Sequence, residues 1–313
     1  MHRDLAVGLA ATALTALAAS AVLARIAAGT AGELDLLVTA GLFVTAWIAM
    51  QRLAPLPRAG RIVPVLFGGW LLFLWEAGTR GFGVPAVLLP PPSAVAGALV
   101  ATAPILAQDF VQTVLREVLP GWALGCAAGF LTALLIDRLP FLQRGLVPVG
   151  NLVAALPIVG IAPIMVMWFG FDWPSKVAVV VVMTFFPMLV STRAGLETAG
   201  RLERDLLRTY AASYPQTLVK LRLPAALPFI FNALKLNSTL ALIGAIVAEF
   251  FGTPIVGMGF RISTEVGRMN LDVVWATIVT AAVTGSLFYG LLALLERMLT
   301  FWHASYRGRD VLA

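Results

Sequence analysis

Residues able to do chemistry are sparse in this chain, and their spacing excludes most catalysis. His2 and His303 stand far apart with no metal-ligand neighbours, so no metal site is expected. There is no Gly-x-x-x-x-Gly-Lys-Ser/Thr loop, so nothing here cradles a nucleotide phosphate. No nucleophile accompanies a His and an acid in a catalytic pattern. Cys126, the single cysteine, lies in the apolar run Gly121 to Ile136 and reads as a packing residue. Neither enzymatic activity nor a cofactor is expected. What remains is a handful of polar side chains inside apolar runs. Glu249 is the most costly of them, and it reads either as a gate or pathway residue or as a hydrogen-bonded strut. Asn237, Ser238 and Thr239 can line a path or tie helices together. Lys235 reads as reaching to the interface, and Arg116-Glu117 as marking the start of a span. Pro157 and Pro163 break one long apolar run, which suits either a kinked pathway helix or irregular packing.

The elements that must position these residues are membrane spans. The chain has 313 residues, 60% hydrophobic and only 12% charged. Its mean hydropathy is +0.92. A soluble domain carries about 25% charged residues, so the solvent for most of this chain is lipid. Eight apolar stretches approach the roughly 20 residues a spanning helix needs. They are Leu5 to Ala28, Leu36 to Met50, Ile62 to Ala77, Val118 to Ile136, Leu146 to Phe169, Lys176 to Val190, Phe229 to Phe251 and Val273 to Leu299. The first exceeds a signal-peptide core and reads as a retained helix. A short apolar helix from Ala94 to about Leu106, capped by Ser93 after three prolines, is expected at the interface.

The net charge of +6 is spread over short loops and indicates no nucleic-acid partner. With both termini in the cytoplasm, all but six of the 22 Lys and Arg lie inside; the exceptions are Arg25, Arg80, Arg116, Lys176, Arg261 and Arg268. That is the positive-inside pattern. The longest inner loop, Thr192 to Leu227, has helical spacing of charged and apolar residues. One helix is expected from about Leu202 to Ala212. Ser213 caps a second, with Pro215 in its first turn, and Pro224 ends it. A short amphipathic helix of this kind can dock in a groove of a soluble partner.

The end of that loop, Leu221-Arg222-Leu223-Pro224, resembles the cytoplasmic signature of ATP-binding-cassette importer permeases, the inner-membrane components of binding-protein-dependent transport. That signature reads Glu-Ala-Ala, three residues, Gly, nine residues, Ile-x-Leu-Pro. Here Asp205-Leu206-Leu207 stands at Glu-Ala-Ala and Ala211 at the Gly. The flanks Pro157 to Pro163, Trp168 to Phe171, Phe185-Phe186-Pro187, Val247-Ala248-Glu249 and Leu294 to Arg297 resemble the nitrate, sulfonate and taurine branch. Arg208 to Ser213 and Phe229 to Lys235 resemble most the riboflavin and pyrimidine-precursor sub-branch.

The resemblance implies an all-α polytopic bundle: a type I importer permease core of six helices in residues 61–313, preceded by two extra helices in residues 1–60. It implies coupling to ABC ATPase subunits through Asp205, Tyr210, Ala211, Ser213, Gln216, Leu218, Leu221, Leu223 and Pro224. Read from their own chemistry, Glu249, Asn237, Thr239 and Pro163 are the candidates for the translocation pathway. The implied partners are two ATPases, a substrate-binding protein, a second permease copy and the lipid of a bacterial cytoplasmic membrane. An ion-gradient-driven carrier is the competing expectation; it would want several intramembrane acids or an inverted repeat.

Overall fold

A computed structural model describes residues 33–53, 62–139, 157–252 and 255–301, with scattered positions from 15 to 28 and at 141 and 145. Most of the first expected span, the opening half of the fifth, and Trp302 and His303 lie outside the described residues. Every regular element among the described residues is helical. In lipid that is the economical solution, because a helix satisfies its own backbone polar groups.

The elements are α1 (Glu33–Leu53), α2 (Ile62–Gly81), α3 (Pro92–Ala101), α4 (Ala103–Phe110), π1 (Val111–Val118), α5 (Leu119–Arg138), α6 (Ile158–Phe169) and α7 (Trp173–Glu197). They continue as α8 (Arg201–Thr209), α9 (Tyr214–Thr217), π2 (Leu218–Arg222), α10 (Leu223–Glu249), α11 (Met258–Gly267) and α12 (Leu271–Leu299). Four rods among the described residues are long and apolar enough to cross a membrane: Ala103–Arg138, Trp173–Glu197, Tyr214–Glu249 and Leu271–Leu299.

Four expectations about helix ends are corrected. The expected interfacial helix ends at Ala101, and Leu106 belongs to the next rod, which begins at Ala103 rather than Val118. Ser93 does not cap α3, because Pro92 already occupies its first turn. Pro224 does not stop a helix; Tyr214–Glu249 runs through it as one 36-residue rod. The reason is π2. Its wider turn closes with Leu223 N–H donating to the Leu218 carbonyl. The proline just beyond it falls in the first turn of α10, where its missing donor and its ring are tolerated.

The chain divides into two compact units. One holds residues 1–101 and 268–276. Within it Ala46 and Trp70 are buried with Leu42, Phe43, Leu66 and Phe73. Glu76 accepts hydrogen bonds from the Ser93 N–H (2.9 Å) and hydroxyl (2.7 Å) and pairs with Arg80.

The other unit holds residues 102–267 and 277–312. Its centre is α7, flanked by α5 and α10. Gly121, Gly125 and Gly129 recur every four residues on α5 and face α7. A Cβ at Gly125 or Gly129 would strike α7 backbone, at Val181 and Phe185 respectively. With lipid as solvent, such close backbone approach is a main source of helix–helix attraction. The core then fills with Val114, Val118, Val180, Ala241, Leu242, Ala245 and Met258.

Candidate functional site

Two polar clusters sit on this apolar frame, and each is built on a π-helical segment. The first is a buried seam at π1. A π turn brings residues five apart into line. Gln112 Nε2 accordingly donates to Glu117 Oε1 at 3.1 Å. Thr113, on the same segment, donates to Glu249 Oε1 at 2.7 Å and accepts the Met258 N–H at 2.8 Å. Glu249 also accepts the Gly259 N–H. One turn earlier, Asp109 accepts the Gly257 N–H at 2.9 Å and pairs with Arg261 at 2.8 Å. The chain turns into α11 through Gly257 at φ 144, in a conformation that favours glycine, and a Cβ there would meet the Glu249 carboxylate. Asp109, Thr113 and Glu249 thus anchor the start of α11 to the ends of two long rods. Arg261 lies outside the spans, and hydrogen bonding to Asp109 raises its guanidinium above the usual arginine value.

The seam is not fully satisfied. Glu117 is completely buried, and its Oε2 has no hydrogen-bond partner. The neighbouring carboxyl group across the seam is that of Glu249. Lys176, also completely buried, is within electrostatic reach of both. Its ammonium is spent on the carbonyls of Phe171 and Asp172 and on the Ser175 hydroxyl.

The second cluster is a clasp at the opposite ends of the rods. Arg222, last residue of π2, forms a bidentate pair with Asp137 at 2.6 and 2.7 Å. Tyr214 donates to the same carboxylate at 2.6 Å, and Arg222 Nε also donates to the Leu196 carbonyl at 3.1 Å. Arg138 lies 4.3 Å from the centre of the Tyr214 ring. α5, α7 and the Tyr214–Glu249 rod are therefore locked together where α8 leaves the bundle. Along α8 and its C-cap Leu202, Leu206 and Tyr210 follow at i, i+4 and i+8, and they are 85%, 57% and 77% exposed. This apolar ridge has basic neighbours in Arg201, Arg204 and Arg208.

The expected site residues divide. Asp205, on α8, pairs only with Arg208 at 3.4 Å in the open. Ser213 occupies the N-cap of α9, and its N–H donates to Gln216 Oε1 at 2.8 Å. Ala211 adopts φ 52, a left-handed angle and not an ordinary one. Leu218 and Leu223 are half-buried and pack against the core of Cys126, Met188 and Ala226. Leu221 and Pro224 are half-buried.

Among the pathway candidates, Asn237 is buried and donates to the Thr184 carbonyl at 2.8 Å and to Cys126 at 3.2 Å, so it ties helices together. Thr239 returns its hydroxyl to the Leu236 carbonyl, and Pro163 lies inside α6, half-buried. None of the three is among the hydrogen-bond partners of Glu249, which include Thr113 and Gly259. Lys235 pairs with Glu296 at 2.6 Å. Glu117 and Lys176, read as margins of spans, are among the most deeply buried side chains of the described residues. Their signal was ionisable character next to an apolar run, but the π register that buries Glu117 leaves no mark in a helical pattern.

A family model described as binding-protein-dependent transport system inner membrane component matches residues 125–300, the stretch that carries the clasp and the ridge. A probable ABC transporter permease protein of Haemophilus influenzae is 31% identical over 237 residues, 75% of this chain and 96% of that protein. The formylaminopyrimidine transport permease protein ThiX of Halalkalibacterium halodurans is 31% identical, covering 76% of this chain and 95% of its own length. The riboflavin transport system permease protein RibX of Chloroflexus aurantiacus is 32% identical, covering 75% and 88%.

Proposed function

The chain belongs to the family of binding-protein-dependent transport-system inner-membrane components, and from that premise we propose that it works as one of two identical permease halves, each docking an ATPase subunit on residues 192–227. It is the permease of an ATP-binding-cassette importer for small organic solutes, in the nitrate, sulfonate and taurine branch. It is a multi-pass inner-membrane protein that works with ATPase and substrate-binding partners. The relatives do not support an ion-gradient-driven carrier.

One observation carries the docking proposal. The exposed ridge Leu202–Leu206–Tyr210 stands directly before the clasp that joins α5, α7 and α10. A load applied to the ridge passes through α9 and π2 into a 36-residue rod that ends at the seam. In this reading Asp205, Tyr210, Ala211, Ser213 and Gln216 shape the dock, while Leu218, Leu223 and Pro224 fasten it to the bundle. The loop and both termini lie in the cytoplasm, and the seam faces outward. Residues 1–60 are two additional helices outside the six-helix core in 61–313. Homodimerisation follows from a single docking loop facing a paired ATPase. The relatives named for formylaminopyrimidine and riboflavin favour a solute of that kind.

Co-purification tests the proposal. Leu206→Glu with Tyr210→Ala should abolish capture of the ATPase subunit and leave the permease folded, because neither side chain is buried. Retention of the ATPase by that variant would remove the ridge from the dock.

A further inference from the structure

Arg116 is a cation whose surroundings fit neither lipid nor a salt bridge. It lies on π1 among exposed Val111, Leu115 and Leu119. Its guanidinium reaches Gln112 Oε1 at 3.2 Å, and among the described residues no carboxylate lies within ion-pair distance of it. A bare guanidinium is costly against hydrocarbon, so this face meets water or another polar surrounding. Beside it lies a cavity of about 670 Å³ lined by Ala107, Gln108, Val111, Gln112, Arg116, Asp172 and Val256. That volume suits a small solute. Its wall carries one cation, one carboxylate and two amides.

We propose that this cavity is the outer solute-admitting site of the permease, with Arg116 receiving an acceptor oxygen and Asp172 an N–H donor of a small bipolar solute. The inference rests on the importer reading above. It also supplies a link to the moving parts. The Gln112 amide that holds Arg116 donates its other end to Glu117. Glu117 in turn neighbours Glu249, which holds the backbone of α11. A solute that draws Arg116 away from Gln112 loosens Glu117, the seam member already short of a partner.

The test uses the permease assembled with its ATPase in nanodiscs, and two thiol reagents in place of the solute. One is a methanethiosulfonate bearing a sulfonate, the other a methanethiosulfonate bearing a trimethylammonium. Val111→Cys, on the cavity wall, is the target, and the natural protein with its buried Cys126 is the blank. Both reagents should modify Val111→Cys. Adding Arg116→Gln should lower the anionic-to-cationic rate ratio by roughly threefold or more, as expected for one unit charge acting through water at a few ångströms. Arg116→Lys should restore the ratio, and Asp172→Asn should raise it. If Arg116→Gln fails to assemble, salt serves instead: at about 1 M the ratio should fall to that of a free thiol. Absence of modification, or a ratio indifferent to Arg116→Gln and to salt, overturns the inference. If the ATPase assembles and hydrolyses ATP while the ratio stays flat, only this inference fails. If no ATPase assembles, the importer reading fails.

Discussion

The seam and the clasp use the same device to opposite ends. Each inserts a π-helical stretch into a long rod, and each brings a polar residue of that stretch onto a carboxylate. In the clasp the charged groups are matched: Asp137 receives two guanidinium N–H donors and a phenol, and Arg222 also donates through Nε to the Leu196 carbonyl. In the seam two buried carboxyl groups share too few donors, and Glu117 keeps an empty oxygen. A fully paired network behaves as a rigid joint, whereas a short-handed one has more than one arrangement of similar energy. The clasp is built to transmit motion, and the seam to change state.

Breaking the clasp should produce the largest effect. Asp137→Ala strands a mostly buried guanidinium and a phenol. Removal of one partner from a fully buried pair costs about 3–5 kcal/mol, and partial exposure here brings the expectation to about 2–3. The thermal midpoint of the purified permease should fall by several degrees, and ATP hydrolysis should uncouple from uptake. Replacing both partners with apolar residues, Asp137→Leu with Arg222→Met, should return most of the stability but not the coupling. A midpoint unmoved by Asp137→Ala would mean the clasp is ornamental.

The seam should respond asymmetrically. Glu249→Gln keeps one acceptor oxygen for two donors, Thr113 and the Gly259 N–H, and should cost about 1–2 kcal/mol with faster hydrogen exchange at the start of α11. Glu117→Gln puts an amide N–H where an unpartnered oxygen stood, within reach of Glu249. It should be neutral or stabilising by up to about 1 kcal/mol, and it should slow transport by favouring one arrangement. Equal losses from the two substitutions would contradict the contrast between them.

Much of the frame could be read from the chain. Composition and apolar runs showed a helical membrane bundle, and the start of α9 was marked by Ser213 and Pro215. The interior of the site was not legible, for reasons of register and distance. On an ordinary helix, residues five apart diverge by about 140°. Gln112 and Glu117 therefore look unrelated until the π turn aligns them, and Pro224 looks like a stop until π2 absorbs it. Asp137 and Arg222 are 85 residues apart, and only the packing of α5 against α7 through Gly121, Gly125 and Gly129 brings their helices into range. Lys235 looks solitary in the sequence because Glu296 lies 61 residues away.

The smallest expected effect sits between clasp and ridge and sharpens the picture of how the two are joined. At the end of α8 the Ala212 N–H donates to the Leu207 carbonyl at 3.0 Å and the Ala211 N–H to the Arg208 carbonyl at 2.9 Å. That pair of bonds is the helix-ending motif in which the residue just past the cap turns left-handed. Ala211 takes that position at φ 52. A Cβ there costs about 1 kcal/mol, which glycine would relieve. Glycine also gives the unfolded chain roughly 0.4–1 kcal/mol of additional freedom. The two nearly cancel, so Ala211→Gly should move the thermal midpoint by no more than about a degree while leaving ATPase capture intact. Ala211→Val, branched at Cβ, should lose about 1–2 kcal/mol locally and show as faster proteolysis between α8 and α9. If the glycine variant instead loses capture, the turn is held by contacts of the Ala211 methyl rather than by its backbone angle, and the ridge is not mounted on the clasp in the way the left-handed turn requires.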